Sequence, residues 1–236
     1  MTTLSADLFV VCHGAGGSGW EWHRVAAELA RRGHRLVAVD MPCDDEDAGL
    51  ADCADVVIDS VRSDATVEAA AGTAGPDGLV TVIGHSWGAF VAPLVADRLG
   101  AHQLVLVAPM IPLPGESAGA WWDASGFTPA EGVDFEDELT LFLHDLDPDL
   151  AAQALARSRD QAASMMTERF PLPAWPDIPT AVVAFGDDRL FSPSFVRGLA
   201  RERLGVEAAQ TPGGHCGYLS RPVELVDTLL TLTGGS

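Results

Sequence analysis

Apolar runs of about six residues recur at 7–12, 35–40, 79–84, 103–108, 180–185 and 205–210, and between them apolar positions return with helical spacing near 20–32, 50–71, 87–99, 193–203 and 221–231. Runs that are apolar at nearly every position belong to strands covered on both faces. Such strands alternating with amphipathic helices predict a mostly parallel, doubly wound α/β sheet with flanking helices. Neither a repeat nor a low-complexity linker interrupts the chain, so residues 1–236 read as one domain. The alternation fails only between 109 and 176, a stretch with proline at both ends that carries Trp121, Trp122, Phe127, Met165, Met166 and Trp175. That stretch predicts a helical cap inserted in the domain. Taken singly, each of these apolar residues reads as core; together they suggest an apolar pocket, with Trp121 and Trp122 as candidates to touch a substrate.

In sheets of this kind the loops at the carboxyl ends of the strands carry the chemistry. The run Leu79–Ile83 leads into Gly84-His85-Ser86-Trp87-Gly88. A GxSxG turn between strand and helix projects its serine above the sheet edge, and the flanking glycines remove the Cβ atoms that would clash. Serine is a weak nucleophile at neutral pH, so Ser86 has chemical meaning only with a base and an acid that orients the base. On this fold they follow in the order carboxylate, then histidine. Gly186-Asp187-Asp188-Arg189 leaves the strand 180–185, and either aspartate is a candidate acid. His215 lies in the loop Thr211-Pro212-Gly213-Gly214-His215 and is the candidate base. His23, His34, His102 and His144 fall on helix or connection positions and read as structural or surface residues.

After the first strand comes His13-Gly14-Ala15-Gly16-Gly17, whose small side chains leave backbone amides open to a ligand. Acyl transfer develops negative charge on a carbonyl oxygen, and one preorganised amide contributes about 3 kcal/mol to stabilising it. The expected donors are the amides of Ala15 and Trp87, with His13 and Gly14 beside the substrate. The same loop offers a rival, since Gly14-Ala15-Gly16-Gly17-Ser18-Gly19 fits GxGxxG and Asp40 ends the next strand, the pattern of a dinucleotide site. That reading leaves Ser86, Asp188 and His215 without a purpose.

The formal net charge of −20 argues against nucleic acid or an anionic membrane as partner. The opening Met1–Asp7 has no basic start followed by a long apolar segment, and no stretch reaches membrane-span length, so a cytoplasmic protein, monomeric or homodimeric, is expected. Cys12, Cys43, Cys53 and Cys216 have neither CxxC pairing nor metal-ligand spacing and read as reduced, buried residues. Asp145, Asp147 and Asp149 imitate a calcium loop, but Leu150 and Ala156 stand where glycine and glutamate are required. The chain has no lysine, which removes Schiff-base chemistry, a lysine-dependent phosphate loop and a serine-lysine dyad. Neither a metal nor a cofactor is called for.

The sequence resembles the α/β-hydrolase superfamily over nearly its whole length, and within it the small plant methylesterase and hydroxynitrile-lyase-like branch with its bacterial esterase relatives. The likeness rests on His13-Gly14-Ala15 with Trp20 and Trp22, Gly33-His34-Arg35 leading to Val39-Asp40-Met41-Pro42, Gly84–Gly88, Pro114-Gly115-Glu116-Ser117, Asp188-Arg189 with Pro193, and Gly214-His215. The resemblance implies a Ser86, His215, Asp188 triad, Ala15 and Trp87 as oxyanion donors, a helical cap after the sixth strand region, and no cofactor. It implies a serine esterase acting on a small apolar carboxylic ester through an acyl-enzyme. Two departures stand out. Family members commonly place the acid three residues after the glycine, whereas Asp188 is two after Gly186, which keeps Asp187 as an alternative. Cys216 follows His215 where the lyases carry a lysine, which argues against lyase chemistry. The fold also hosts thioesterases, lactonases, cofactor-free cyclases and non-catalytic small-molecule binding proteins.

Overall fold

Side chains alternate across a strand, and in β1 (Leu8–Cys12) Leu8, Val10 and Cys12 enter one apolar cluster while Phe9 and Val11 enter another. The strands β3 (Val80–His85), β4 (Gln103–Val107) and β5 (Thr180–Phe185) divide in the same way: Val82, Leu104, Leu106, Val182 and Ala184 face the first cluster, and Ile83, Val105, Val107, Val183 and Phe185 the second. Both faces of the central strands are therefore buried, which is why the sequence shows no polar alternation there. The outer strands β2 (Arg35–Ala38) and β6 (Ala208–Thr211) are largely half-buried.

The computed structural model describes residues 7–63, 79–129, 134–135 and 137–234. Its six strands run in the order β2-β1-β3-β4-β5-β6, every neighbouring pair parallel. Helices α2 (Leu50–Ser63), α3 (Ala92–Leu99) and α8 (Pro193–Leu204) cover the first face, and α1 (His23–Arg31) and α9 (Pro222–Thr233) the second. The doubly wound α/β sheet read from the sequence is thus present. All strands point the same way, so the loops bearing His13, Ser86, Asp188 and His215 leave one edge of the sheet.

Two boundaries show why the chain departs from expectation. The last strand starts at Ala208 rather than 205, because Gly205 ends α8 in the left-handed conformation (φ 68°) and the Val206 amide still bonds back to the Ala200 carbonyl at 3.3 Å. The segment after Ser86 begins as a 3-10 turn over Ser86–Phe90, and α3 starts only at Ala92. The helix expected over 50–71 is described to Ser63, and its remainder, like the first six residues, lies outside the described residues. No described helix is long and apolar enough to cross a membrane.

The stretch 109–176 follows the fourth strand, not the sixth, and its described residues form four short helices, α4 (Ala118–Ala124), α5 (Glu138–Leu141), α6 (Pro148–Leu155) and α7 (Ala163–Thr167). Its apolar residues divide between the two clusters: Trp121, Met165 and Phe170 join the first, Leu150, Ala151 and Ala154 the second. Its N-terminal end is pinned by a buried ion pair. Arg203 on α8 donates to both Glu116 carboxylate oxygens and to the Ile111 carbonyl, while Glu116 also accepts from the Leu113 amide. The two side chains are 2% and 6% exposed. Removing one partner of such a pair leaves an uncompensated buried charge, at a cost of about 3–5 kcal/mol. Glu116→Ala is expected to lose that much stability in urea unfolding, and Glu116→Leu combined with Arg203→Met to recover most of it.

Candidate active site

At the end of β3 the backbone turns left-handed, with Ser86 at φ 50°, a region a non-glycine residue seldom occupies. The space explains Gly88: a Cβ there would lie 2.2 Å from the Cys12 carbonyl oxygen and 2.5 Å from that of His13. The turn therefore packs directly on the end of β1, and Ser86 shares a cavity of about 460 Å³ with Gly14, Ala15 and Trp87. A second left-handed residue, Ala108 at φ 43°, follows β4. The chain bends there so that the Met110 amide donates to the Ser86 carbonyl at 3.0 Å, and Met110 joins the cavity wall.

Asp188 and His215 meet at the same edge. Asp188 Oδ1 accepts the amides of Leu190 (2.8 Å) and Phe191 (2.9 Å), and its Oδ2 lies 2.8 Å from His215 Nδ1. A carboxylate fixed by two amides holds the imidazole with its proton on Nδ1, leaving Nε2 as the basic nitrogen. Ser86, Asp188 and His215 are 8%, 6% and 4% exposed, and both Ser86 and His215 line the cavity. Asp187 is exposed, and only its backbone joins the network, its amide donating to the Gly213 carbonyl at 2.9 Å. The preceding His85 donates from Nε2 to the His215 carbonyl at 3.1 Å. Burial, then the neighbouring His215 ring, holds the pKa of His85 well below the ordinary histidine value, so it remains neutral.

Two residues of the inserted stretch support these loops and were not singled out by sequence as doing so. His144 Nε2 donates to the Asp187 carbonyl (3.0 Å), and Asp145 Oδ2 accepts from the Gly214 amide (2.7 Å) and the Ser220 hydroxyl (2.5 Å). A Cβ on Gly214 would sit 2.8 Å from both His144 Nε2 and Asp145 Oδ1, so a larger residue there would push these side chains aside. Of the aspartates that imitate a calcium loop, Asp145 serves this purpose and Asp147 caps α6 by accepting the Leu150 amide at 2.9 Å.

The other expected residues separate. Trp122 and Met166 line the cavity. Trp121 does not: it is fully buried beneath, donating from Nε1 to the Ile111 carbonyl at 2.9 Å. His13 is also fully buried, its Nε2 accepting the Met41 amide at 3.0 Å, and it holds β1 to the segment after β2 rather than facing the cavity. Met165 is core, and Trp175 donates to the Thr180 hydroxyl at 3.1 Å. Wall residues that sequence did not indicate include Phe135, Phe142 and Phe191, the last two with ring centroids 5.4 Å from that of His215. Asp40, the acidic residue of the dinucleotide pattern, accepts the Gly19 amide of the same loop at 2.8 Å, and the Gly16 amide donates to Gln161 Oε1 at 3.2 Å. The four cysteines are free and buried, and no group of metal-binding side chains occurs among the described residues.

A polar group of wall residues was likewise absent from the sequence reading. The Tyr218 hydroxyl lies 3.3 Å from Glu21 Oε2 and 3.2 Å from Cys216 Sγ, and Tyr218 stacks on Trp22 with centroids 4.6 Å apart. Burial pushes the Glu21 carboxyl up to about 7, against smaller opposing effects of the Ser18 backbone, Tyr218 and His215, with Asp40 adding to the rise. A carboxyl that holds its proton more tightly when folded favours the folded state below its unfolded pKa, and that contribution is lost as pH rises through the folded value. The Tm advantage of Glu21→Gln over wild type is expected to widen between pH 5 and pH 8 in calorimetric scans, by roughly the few degrees that 1–2 kcal/mol produces.

The sequence matches the alpha/beta hydrolase family over residues 9–228. Esterase PIR7B of Oryza sativa subsp. japonica is 30% identical over 121 residues, which are 50% of this chain and 44% of that protein. Probable esterase PIR7A of Oryza sativa subsp. indica is 33% identical over 120 residues, covering 47% and 42%. The chain thus spans less than half the length of these curated relatives. Among solved structures, polyneuridine aldehyde esterase superposes with a TM-score of 0.76 at 17% identity, over 97% of this chain and 99% of that one, a likeness of fold. With a parallel sheet of this order and a serine turn at its carboxyl edge, the chain belongs to the alpha/beta hydrolase family.

Proposed function

We propose that this hydrolase is a serine carboxylesterase in which Ser86 is the nucleophile, His215 the general base and Asp188 the residue that orients it. The observation that carries this reading is the disposition of Asp188, one oxygen held by two amides and the other by His215 Nδ1, with His215 and Ser86 on one cavity. His215 Nε2 takes the Ser86 proton as Oγ attacks the ester carbonyl, and the tetrahedral oxyanion is met by the Ala15 and Trp87 amides. Collapse expels the alcohol, which takes the proton from His215. Water, deprotonated by the same imidazole, then releases the acid and restores Ser86.

The stretch 109–176 serves as a cap within a single catalytic domain. Trp122, Phe135, Phe142, Met166, Leu190 and Phe191 give the cavity an apolar wall that favours an apolar acyl or alcohol group. The esterase-named relatives support ester hydrolysis over a binding role on the same fold.

A fluorophosphonate reacts only with an activated serine, Oγ displacing fluoride from phosphorus. Intact mass is expected to show one phosphonyl group on wild type and none on Ser86→Ala, which should also lose at least about four orders of magnitude in kcat on aryl esters. No adduct on folded wild type overturns the proposal. The exchange Asp188→Asn is expected to lower kcat about a thousandfold or more, and Asp187→Asn to stay within about twofold. The reverse ranking in steady-state kinetics would transfer the acid to Asp187.

A further inference from the structure

Glu21 has no part in the mechanism above, yet it stands on the wall of the cavity that contains Ser86 and His215. It is carried by the 3-10 turn Gly19–Trp22, immediately after the oxyanion loop, and it is half-buried. Among the described residues no cation is paired with it; its side-chain partner is the neutral hydroxyl of Tyr218. Tyr218 is itself packed on Trp22 and edge-on to His85, with centroids 4.9 Å apart in the latter pair. A half-buried carboxyl held by neutral partners is costly in its charged form and stabilised by any cation that reaches it.

Two further acidic residues, Glu138 and Asp160, line the cavity, and among the described residues its arginine, Arg159, is already committed to the Met41 carbonyl (2.7 Å) and Asp44 (2.5 Å). In a chain of formal net charge −20, a cavity whose described lining includes three acidic residues and an engaged arginine attracts cations and repels anions. The apolar wall made by Trp122, Phe135 and Phe191 supplies the other half of a recognition site.

From this juxtaposition we infer that the cavity binds amphiphilic cations, an aromatic or aliphatic body with a protonated amine, and that Glu21, set by Tyr218, is the residue that selects the amine. The inference rests on the esterase reading only in taking the occupant to be a substrate, hence an ester that carries a basic nitrogen. The carboxylate product of such an ester would meet three carboxyl groups, which favours its departure.

The test is calorimetric titration near neutral pH with phenylethyl-, phenylpropyl- and phenylbutylammonium and with the alcohol of each chain length, on wild type, Ser86→Ala, Glu21→Gln and Glu21→Asp. At least one ammonium is expected to bind wild type and Ser86→Ala about tenfold more tightly than its alcohol, the low end of what a desolvated charge pair provides. The preference is expected to fall below about twofold in Glu21→Gln and to persist in Glu21→Asp, which keeps the charge. Equal binding of amine and alcohol to wild type, or a preference that survives in Glu21→Gln, overturns the inference. Amine preference without a fluorophosphonate adduct removes the esterase reading and leaves a cation site; an adduct without amine preference does the reverse.

Discussion

The left-handed backbone at Ser86 is the constraint around which the other parts are arranged. A residue in that region costs about 1–3 kcal/mol and persists only where its surroundings over-determine it. Here the surroundings are two strand ends. Gly88 lets the turn lie against the Cys12 and His13 carbonyls, and the Met110 amide closes on the Ser86 carbonyl from the other side. Those contacts exist because β1, β3 and β4 are adjacent and parallel, with ends in register. The strain of one residue is thus sustained by the cohesion of the sheet, whose central strands are buried on both faces.

The histidine and carboxylate loops obey a different logic. They follow β5 and β6 at one side of the sheet, and their backbone polar groups find partners outside the sheet. Asp188 uses its own downstream amides, while Asp187 and Gly214 are met by His144 and Asp145 from the inserted stretch. The insertion is therefore part of the frame as well as the wall of the pocket, and the buried pair of Arg203 and Glu116 ties its other end to α8. Both attachments come from polar groups that would be unsatisfied without it.

The sheet was legible because continuous apolar runs and helical spacing are local patterns, and five of the six strands start within a residue of where those patterns begin. The serine turn, the carboxylate and the histidine were legible because each follows a strand end in a fixed order. Cap helices, pocket wall and loop supports were not. Trp121 and Trp122 are neighbours of one type, and only helix rotation puts the first in the core and the second on the cavity. His13 sits beside Gly14 in a glycine-rich loop, yet it turns inward to the Met41 amide. Asp145 meets Gly214 across 69 residues, a pairing that no spacing rule reports. Glu21 meets the Tyr218 hydroxyl across 197 residues, again beyond any local pattern.

The grip of His144 and Asp145 on the two loops limits how freely this fold exchanges its parts. Grafting an insertion from another hydrolase is a direct way to give the same sheet a new pocket. Here the graft would also remove the acceptor of the Gly214 amide and the donor to the Asp187 carbonyl, leaving the backbone beside His215 and Asp188 to find new partners. A donor segment would have to bring its own histidine-aspartate pair, or an equivalent, at the same place. Pocket shape and loop geometry are inherited together in this chain, as one cassette.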